Sequence, residues 1–143
     1  MSSAIPPPVE TFHRGIEELA EARTKSDRLK GREAAEKVWL AVVEATDHYL
    51  ALKGVVIASG PRAHMQRRRA FATLDRDDLR RTYSDLASTL HGDIFYFDDL
   101  SEGGRELDSL YEEAARYVEE TTGEHGLLSE VLDMERATSH RTG

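Results

Sequence analysis

Apolar residues in this chain recur at three- and four-residue steps along most of its length, which is the period of amphipathic helices and not of strands. Val9, Phe12, Ile16, Leu19 and Ala20 mark a first helix that fades at Lys25 to Lys30, where Gly31 is expected to separate it from the next. From Arg32 to Lys53 the positions Ala35, Val38, Val42, Ala45, Tyr49 and Leu52 hold one stripe, widened by Trp39, Val43 and Leu50. So broad an apolar face predicts a central helix covered by two or more neighbours, with Gly54 as its stop. Val55 to Ala58 is too short and isolated for a paired strand and reads as a buried turn. Pro61 suits the first turn of a short helix carrying His64, Met65, Phe71 and the triplet Arg67, Arg68, Arg69. Asp75 is the expected N-cap of a fourth helix marked by Leu79, Tyr83, Leu86 and Leu90 and ended by His91-Gly92. The run Ile94 to Phe97 fits either an extended segment or a continued helix. After a break at Ser101 to Gly104, Leu107, Leu110, Tyr111, Ala114, Tyr117 and Val118 mark a fifth helix, and Leu127, Leu128, Val131 and Leu132 a short sixth. The pattern predicts an all-α, up-and-down bundle of four long helices plus one or two short ones. Residues 1–8 read as a flexible proline-rich leader, 9–136 as one helical domain and 137–143 as a flexible tail.

Composition narrows the function classes. The 143 residues suffice for one core, and no stretch approaches the 18 consecutive apolar residues of a membrane span. The N-terminus lacks the basic and apolar regions of a signal peptide, so a cytoplasmic address without membrane contact is expected. With no cysteine there is no disulfide, thiolate zinc site or cysteine nucleophile. A net charge of -8 opposes nonspecific attraction to phosphate backbones. That charge is uneven: Arg62 to Arg81 holds seven arginines against Asp75, Asp77 and Asp78, whereas Asp93 to Glu120 holds ten acids against two arginines. Such segments read either as solvated faces paired across the fold or a dimer, or as an arginine-lined phosphate site.

Two blocks resemble a known family. Glu33-Ala34-Ala35-Glu36-Lys37-Val38-Trp39-Leu40-Ala41 is similar to the EKxWxA helix of the PaREP1 family, and Leu90-His91-Gly92-Asp93-Ile94-Phe95-Tyr96 to that family's LHxNFY segment. The resemblance spans roughly residues 30 to 120 and implies a HEPN-like bundle. Such bundles act as partners of nucleotidyltransferases, as RNA-cleaving toxins and as dimeric modules. Asp93-Ile94 stands where the family has asparagine before Phe-Tyr, which removes that amide's hydrogen bonds.

Candidate chemistry is sparse. The arginine-to-histidine spacing of HEPN ribonucleases is absent, although Arg80 and His91 fall on one face of an ideal helix through Ser84 and Ala87. These two are the catalytic candidates of a dimeric, metal-independent endoribonuclease reading. Glu10 and His13 form a lone E-x-x-H, a weak metal foothold, since dinuclear bundles need two such motifs and further glutamates. Glu36 is placed to pair with Arg80 or Arg81, and His64 sits three residues before Arg67 in a basic turn. Glu36, Lys37, His64, Arg67, His91 and Tyr96 are the candidate ligand-binding residues. No phosphate-binding loop, dinucleotide fingerprint or nucleophile elbow occurs, and no cofactor is expected. The reading favours a non-enzymatic interaction or ligand-binding module, expected as a homodimer. The partners in view are a protein such as a nucleotidyltransferase, a phosphate-bearing ligand, or RNA.

Overall fold

A computed structural model describes residues 7–96 and 105–139. It contains α1 (Pro7–Lys25), α2 (Arg28–Leu52), α3 (Ala63–Thr73), α4 (Asp77–Leu86), a π-helical segment (Ala87–Tyr96) that continues α4, α5 (Arg105–Thr122) and α6 (Leu127–Ser139). Among the described residues there is no strand, and the all-α bundle stands. None of these helices is long and apolar enough to cross a membrane. Residues 1–6 of the expected leader, Phe97, the break at 101–104 and residues 140–143 of the expected tail lie outside the described residues.

Helix α2 is the hub, as its broad stripe predicts. Ala34, Ala35, Val38, Ala41, Val42, Ala45 and Leu50 are fully buried, with α1, α5, α3 and the π segment around them. Small residues along α2 let α1 approach closely. At the closest point a Cβ on Gly15 would sit 2.7 Å from Val38 Cγ2 and 3.2 Å from the Val38 backbone nitrogen. Valine is stiff at χ1 and cannot swing aside. Gly15→Ala is therefore expected to cost about 1–2 kcal/mol, steric strain outweighing alanine's better helix propensity. Chemical denaturation checks this, and adding Val38→Ala should recover part of the loss. Farther along α2, buried Thr46 gives its hydroxyl proton to the Val42 carbonyl at 2.8 Å and accepts from Tyr117 of α5 at 2.6 Å.

Several boundaries differ from the sequence pattern, and the causes are local. Gly31 does not separate the first two helices: it is buried in the first turn of α2, whose N-cap is Asp27, accepting from the Lys30 N–H at 3.1 Å. The reversal occurs at Ser26, with φ of 53°, where the Asp27 N–H bonds the Ala22 carbonyl at 2.9 Å. Asp75 does not cap α4. It adopts φ of 60° and closes α3, the following Arg76 N–H reaching the Phe71 carbonyl at 2.9 Å. Both are left-handed helix endings, here on short polar residues in place of glycine. The expected turn at Val55 to Ala58 is not buried throughout, since Val56 is 88% exposed beside an open groove lined by Val55, Ile57 and Leu74. At the chain's start, Pro7 and Pro8 belong to α1, where proline's missing N–H costs nothing. At the other end, α6 runs on to Ser139. The largest departure is at His91-Gly92. The helix does not stop there but widens to π geometry from Ala87 and continues to Tyr96.

Candidate functional site

The π segment determines what faces α2. An extra residue per turn shifts the phase of everything after Ala87, and such departures concentrate at functional positions. Here Leu90 stays in the core while His91 comes against α2. The His91 ring stacks on Trp39, with centroids 5.9 Å apart at 27°, and its Nδ1 lies 2.9 Å from Glu36 Oε1. A carboxylate can only accept, so this contact fixes the proton on His91 Nδ1. The Glu36 and His91 side chains are 38% and 32% exposed, which puts the pair at the rim of the bundle.

Trp39 also meets α3 and α4. The His64 ring is 5.8 Å from it and the Tyr83 ring 5.3 Å, all in tilted geometry. His64 Nδ1 is 2.6 Å from the Tyr83 hydroxyl and 3.3 Å from Arg67 Nη1, while Arg67 Nη1 donates to the same hydroxyl at 3.0 Å. Guanidinium has no acceptor, so His64 Nδ1 must be the lone-pair side of the ring and the proton sits on Nε2. The hydrogen-bond pattern thus assigns opposite tautomers to the two imidazoles. Arg67, only 7% exposed, is held by Asp47 through two bonds of 2.7 and 3.0 Å. Burial opposes its charge, and the Asp47 and Tyr83 contacts more than offset that, holding its proton above the ordinary arginine range.

Burial, followed by the charges of Arg67 and His91, pushes the His64 pKa down. The unfolded chain therefore binds this proton more readily than the folded one, and stability must fall as pH drops through the ordinary histidine range near ~6.5. Urea unfolding at pH 5 and pH 7 checks this. The wild type is expected to lose more stability on acidification than His64→Gln does.

Four of the six expected ligand residues, Glu36, His64, Arg67 and His91, meet around Trp39. Lys37 does not join them, because its ammonium pairs with Glu18 of α1 at 2.5 Å. Tyr96 ends the π segment, and its side chain lies outside the described residues. Arg80 is bound to Asp77 at 2.5 Å and stands eleven residues before His91, about 16 Å along a regular helix. The expected pairing of Glu36 with Arg80 or Arg81 gives way to Glu36–His91, Arg81 also pairing with Asp77. Arg76 binds Asp78, Glu120 and the Tyr49 hydroxyl, so at least four of the seven arginines in the basic stretch are neutralised by carboxylates of this chain. Glu10 and His13 part company as well, pairing with Arg14 and with Glu130 of α6 respectively. Among the described residues no group of three histidines and carboxylates is arranged to hold a metal ion.

No protein-family model, no curated protein and no solved structure matches this chain. The site therefore rests on its own geometry. Trp39 and Tyr83 are expected as core positions and are buried at 4% and 0% exposure, but neither they nor Asp47 are among the expected site residues. Trp39 stands three residues after Glu36, on one helical face, and Tyr83 is the one polar-tipped residue in the Leu79, Leu86, Leu90 stripe. Both carried a usable signal. Asp47 did not, since its partner lies twenty residues away on another helix.

Proposed function

We propose that this chain is a small, non-enzymatic, cytoplasmic interaction module that binds its ligand or partner at the rim where Glu36, His64 and His91 lie over the buried Trp39. The supporting observation is the convergence of α2, α3, α4 and the π segment on one tryptophan. Two histidines flank that tryptophan, each oriented through Nδ1 by a different partner. Side chains locked in this way cost little entropy on binding, which is how a preorganised site gains affinity. Kinship with PaREP1 and HEPN-like bundles belongs to the same proposal. The two blocks that carry the resemblance meet at the Trp39–His91 stack. Self-association as a homodimer, or docking to a nucleotidyltransferase-like partner, is the form of binding that this kinship favours.

A second reading, a dimeric metal-independent endoribonuclease, draws on the opposite tautomers. Here His91, its Nδ1 bound to Glu36, is the candidate base, and the His64 Nε2–H is a hydrogen-bond donor to a phosphate oxygen. In this reading Arg67 replaces Arg80 as the neighbouring cation. Incubation with labelled single-stranded RNA in EDTA, alongside native mass spectrometry, separates the two. The module predicts intact RNA and an assembly or retained ligand lost on His91→Ala. Cleavage that vanishes in both His64→Ala and His91→Ala would overturn it in favour of the enzyme.

A further inference from the structure

Helix α3 has two faces with different surroundings. His64, Arg67 and Phe71 share the one that meets Tyr83, whereas Gln66, Arg69, Ala70 and Thr73 lie on the opposite side at helical spacing. That second face and the segment after α2 border an open groove of about 330 Å3. Val55, Ile57, Ala70 and Leu74 make the groove apolar, and Arg69 is the one charged residue in its described lining.

The segment has the features of a strand without a neighbour. Gly54 and Gly60, at φ of 83° and 131°, bracket it, and residues 55–59 run between them without a turn or bend. Its side chains alternate: Val55 and Ile57 pack on the core, while Val56 is 88% exposed and Ala58 is exposed as well. The N–H groups at its two ends are taken, Val55 by the Leu50 carbonyl at 2.8 Å and Ala58 by Gln66 Oε1 of α3 at 3.3 Å. Among the described residues the backbone groups of Val56 and Ile57 make no hydrogen bond. Alternate residues of an extended chain turn their backbone groups to the same edge, so Val56 shares with Ala58 the edge that faces α3 and the groove. An unpaired edge of this kind is a template for an added strand.

The charges around the groove select what can be added. Arg67, Arg76, Arg80 and Arg81 all bind carboxylates of this chain. The guanidinium groups of Arg62 and Arg69 have no ion pair or hydrogen bond among the described residues, and two turns of α3 place them on one side. Lys53, just ahead of the segment, lies over the Tyr49 ring at 5.5 Å and pairs with no described carboxylate. Asp75, exposed one residue after Leu74, binds none of the three.

We propose that this groove receives an extended acidic peptide segment of a partner protein, added as a strand along residues 55–58. Its apolar side chains rest on Ile57, Ala70 and Leu74, its backbone pairs with Val56, and its carboxylates meet Arg62, Arg69 and Lys53. Unpaired backbone groups beside an open apolar surface suit a peptide, and the net charge of -8 opposes nucleic acid. Twofold pairing of this edge with a second copy would set the same cations against each other. The surface is separate from the rim over Trp39, so either can fail without the other.

Fluorescence anisotropy with labelled Glu-Val-Ile-Val-Asp-Glu and its counterpart Lys-Val-Ile-Val-Lys-Lys, each titrated with the full chain, tests this. The acidic peptide is expected to bind about tenfold or more tightly than the basic one, by a margin that shrinks in salt. N-methylation of its three apolar residues removes every donor it could offer the edge and should weaken it by about tenfold. Arg69→Gln is expected to weaken binding by about two- to fivefold, the range for an exposed ion pair. Val56→Asp leaves the core untouched and should weaken it by about tenfold or more. In 1H–15N spectra the peptide should shift the amides of residues 55–58 and of α3, leaving the Trp39 indole in place. The proposal is overturned if the acidic peptide does not bind, if the basic or N-methylated peptide binds as well, if neither variant changes affinity, or if the shifts centre on Trp39. Sedimentation supplies the last arm: a dimer that Val56→Asp converts to monomer would assign the edge to a second copy and remove the peptide.

Discussion

Truncation of Tyr83 to alanine is expected to lower the unfolding free energy by about 3–5 kcal/mol, the range for deleting a large buried ring. Tyr83 is fully buried, with its ring 5.3 Å from Trp39, 5.9 Å from His64 and 6.5 Å from Phe71. It touches three members of the site, Trp39, His64 and Arg67, and joins them to Phe71 of the core. Its hydroxyl accepts from Arg67 and donates to His64, and burial raises its pKa, so the proton that orients His64 is retained at neutral pH. Tyr83→Phe separates the two contributions. It keeps the ring and leaves one buried imidazole nitrogen short of a donor, at about 1–2 kcal/mol. Chemical denaturation measures both variants. Since Trp39 is the only tryptophan, its fluorescence reports the local rearrangement in the same experiment.

Removing Asp47 is expected to destabilise the fold more than removing Arg67 does. Asp47 is 41% exposed on its side chain and Arg67 is 8% exposed, so the two ends of the pair stand in different surroundings. Asp47→Ala strands a guanidinium that cannot shed its proton, a loss of about 3 kcal/mol or somewhat more. Arg67→Met keeps much of the buried stem and lets the Asp47 carboxylate hydrate. That variant should cost about 1–2 kcal/mol, mainly from the unfilled Tyr83 and His64 contacts. Urea midpoints of the two variants and of the double variant test the asymmetry. Equal losses from both would contradict the buried placement of Arg67.

Element type was legible because helix period depends on residues three and four apart, all within one segment. The α4 stripe and the Tyr111 to Val118 stripe named buried positions in advance; the α2 stripe did so from Ala35 to Ala45 but failed at Leu52, which is 71% exposed at the helix end. Helix ends were less legible where glycine was the guide. Gly31 went inside α2 and Ser26 took the left-handed turn, because the Asp27 N-cap starts α2 ahead of Gly31, which is buried in its first turn. The widening to π geometry at Ala87 carries no residue signature, so the face on which His91 emerges was invisible from spacing alone. The site was half legible. Residue chemistry named Glu36, His64, Arg67 and His91, whereas their partners are set by packing of α3 and the π segment on α2. Arginine richness left two readings open, and for Arg67, Arg76, Arg80 and Arg81 pairing within the fold is the one realised: Asp47, Asp77, Asp78 and Glu120 sit where the fold brings them to the guanidinium groups.

A long-range 1H–15N NMR spectrum of the histidine rings at neutral pH tests the site most directly, because the assembly around Trp39 fixes the two tautomers independently of any ligand. The expected result is a neutral His64 protonated on Nε2 and a His91 protonated on Nδ1 toward Glu36, with Glu36→Gln disturbing His91 and leaving His64 unchanged. Averaged tautomers on both rings, indifferent to Glu36 and to Tyr83→Phe, would show that the two imidazoles are not held against Trp39 and would contradict the site.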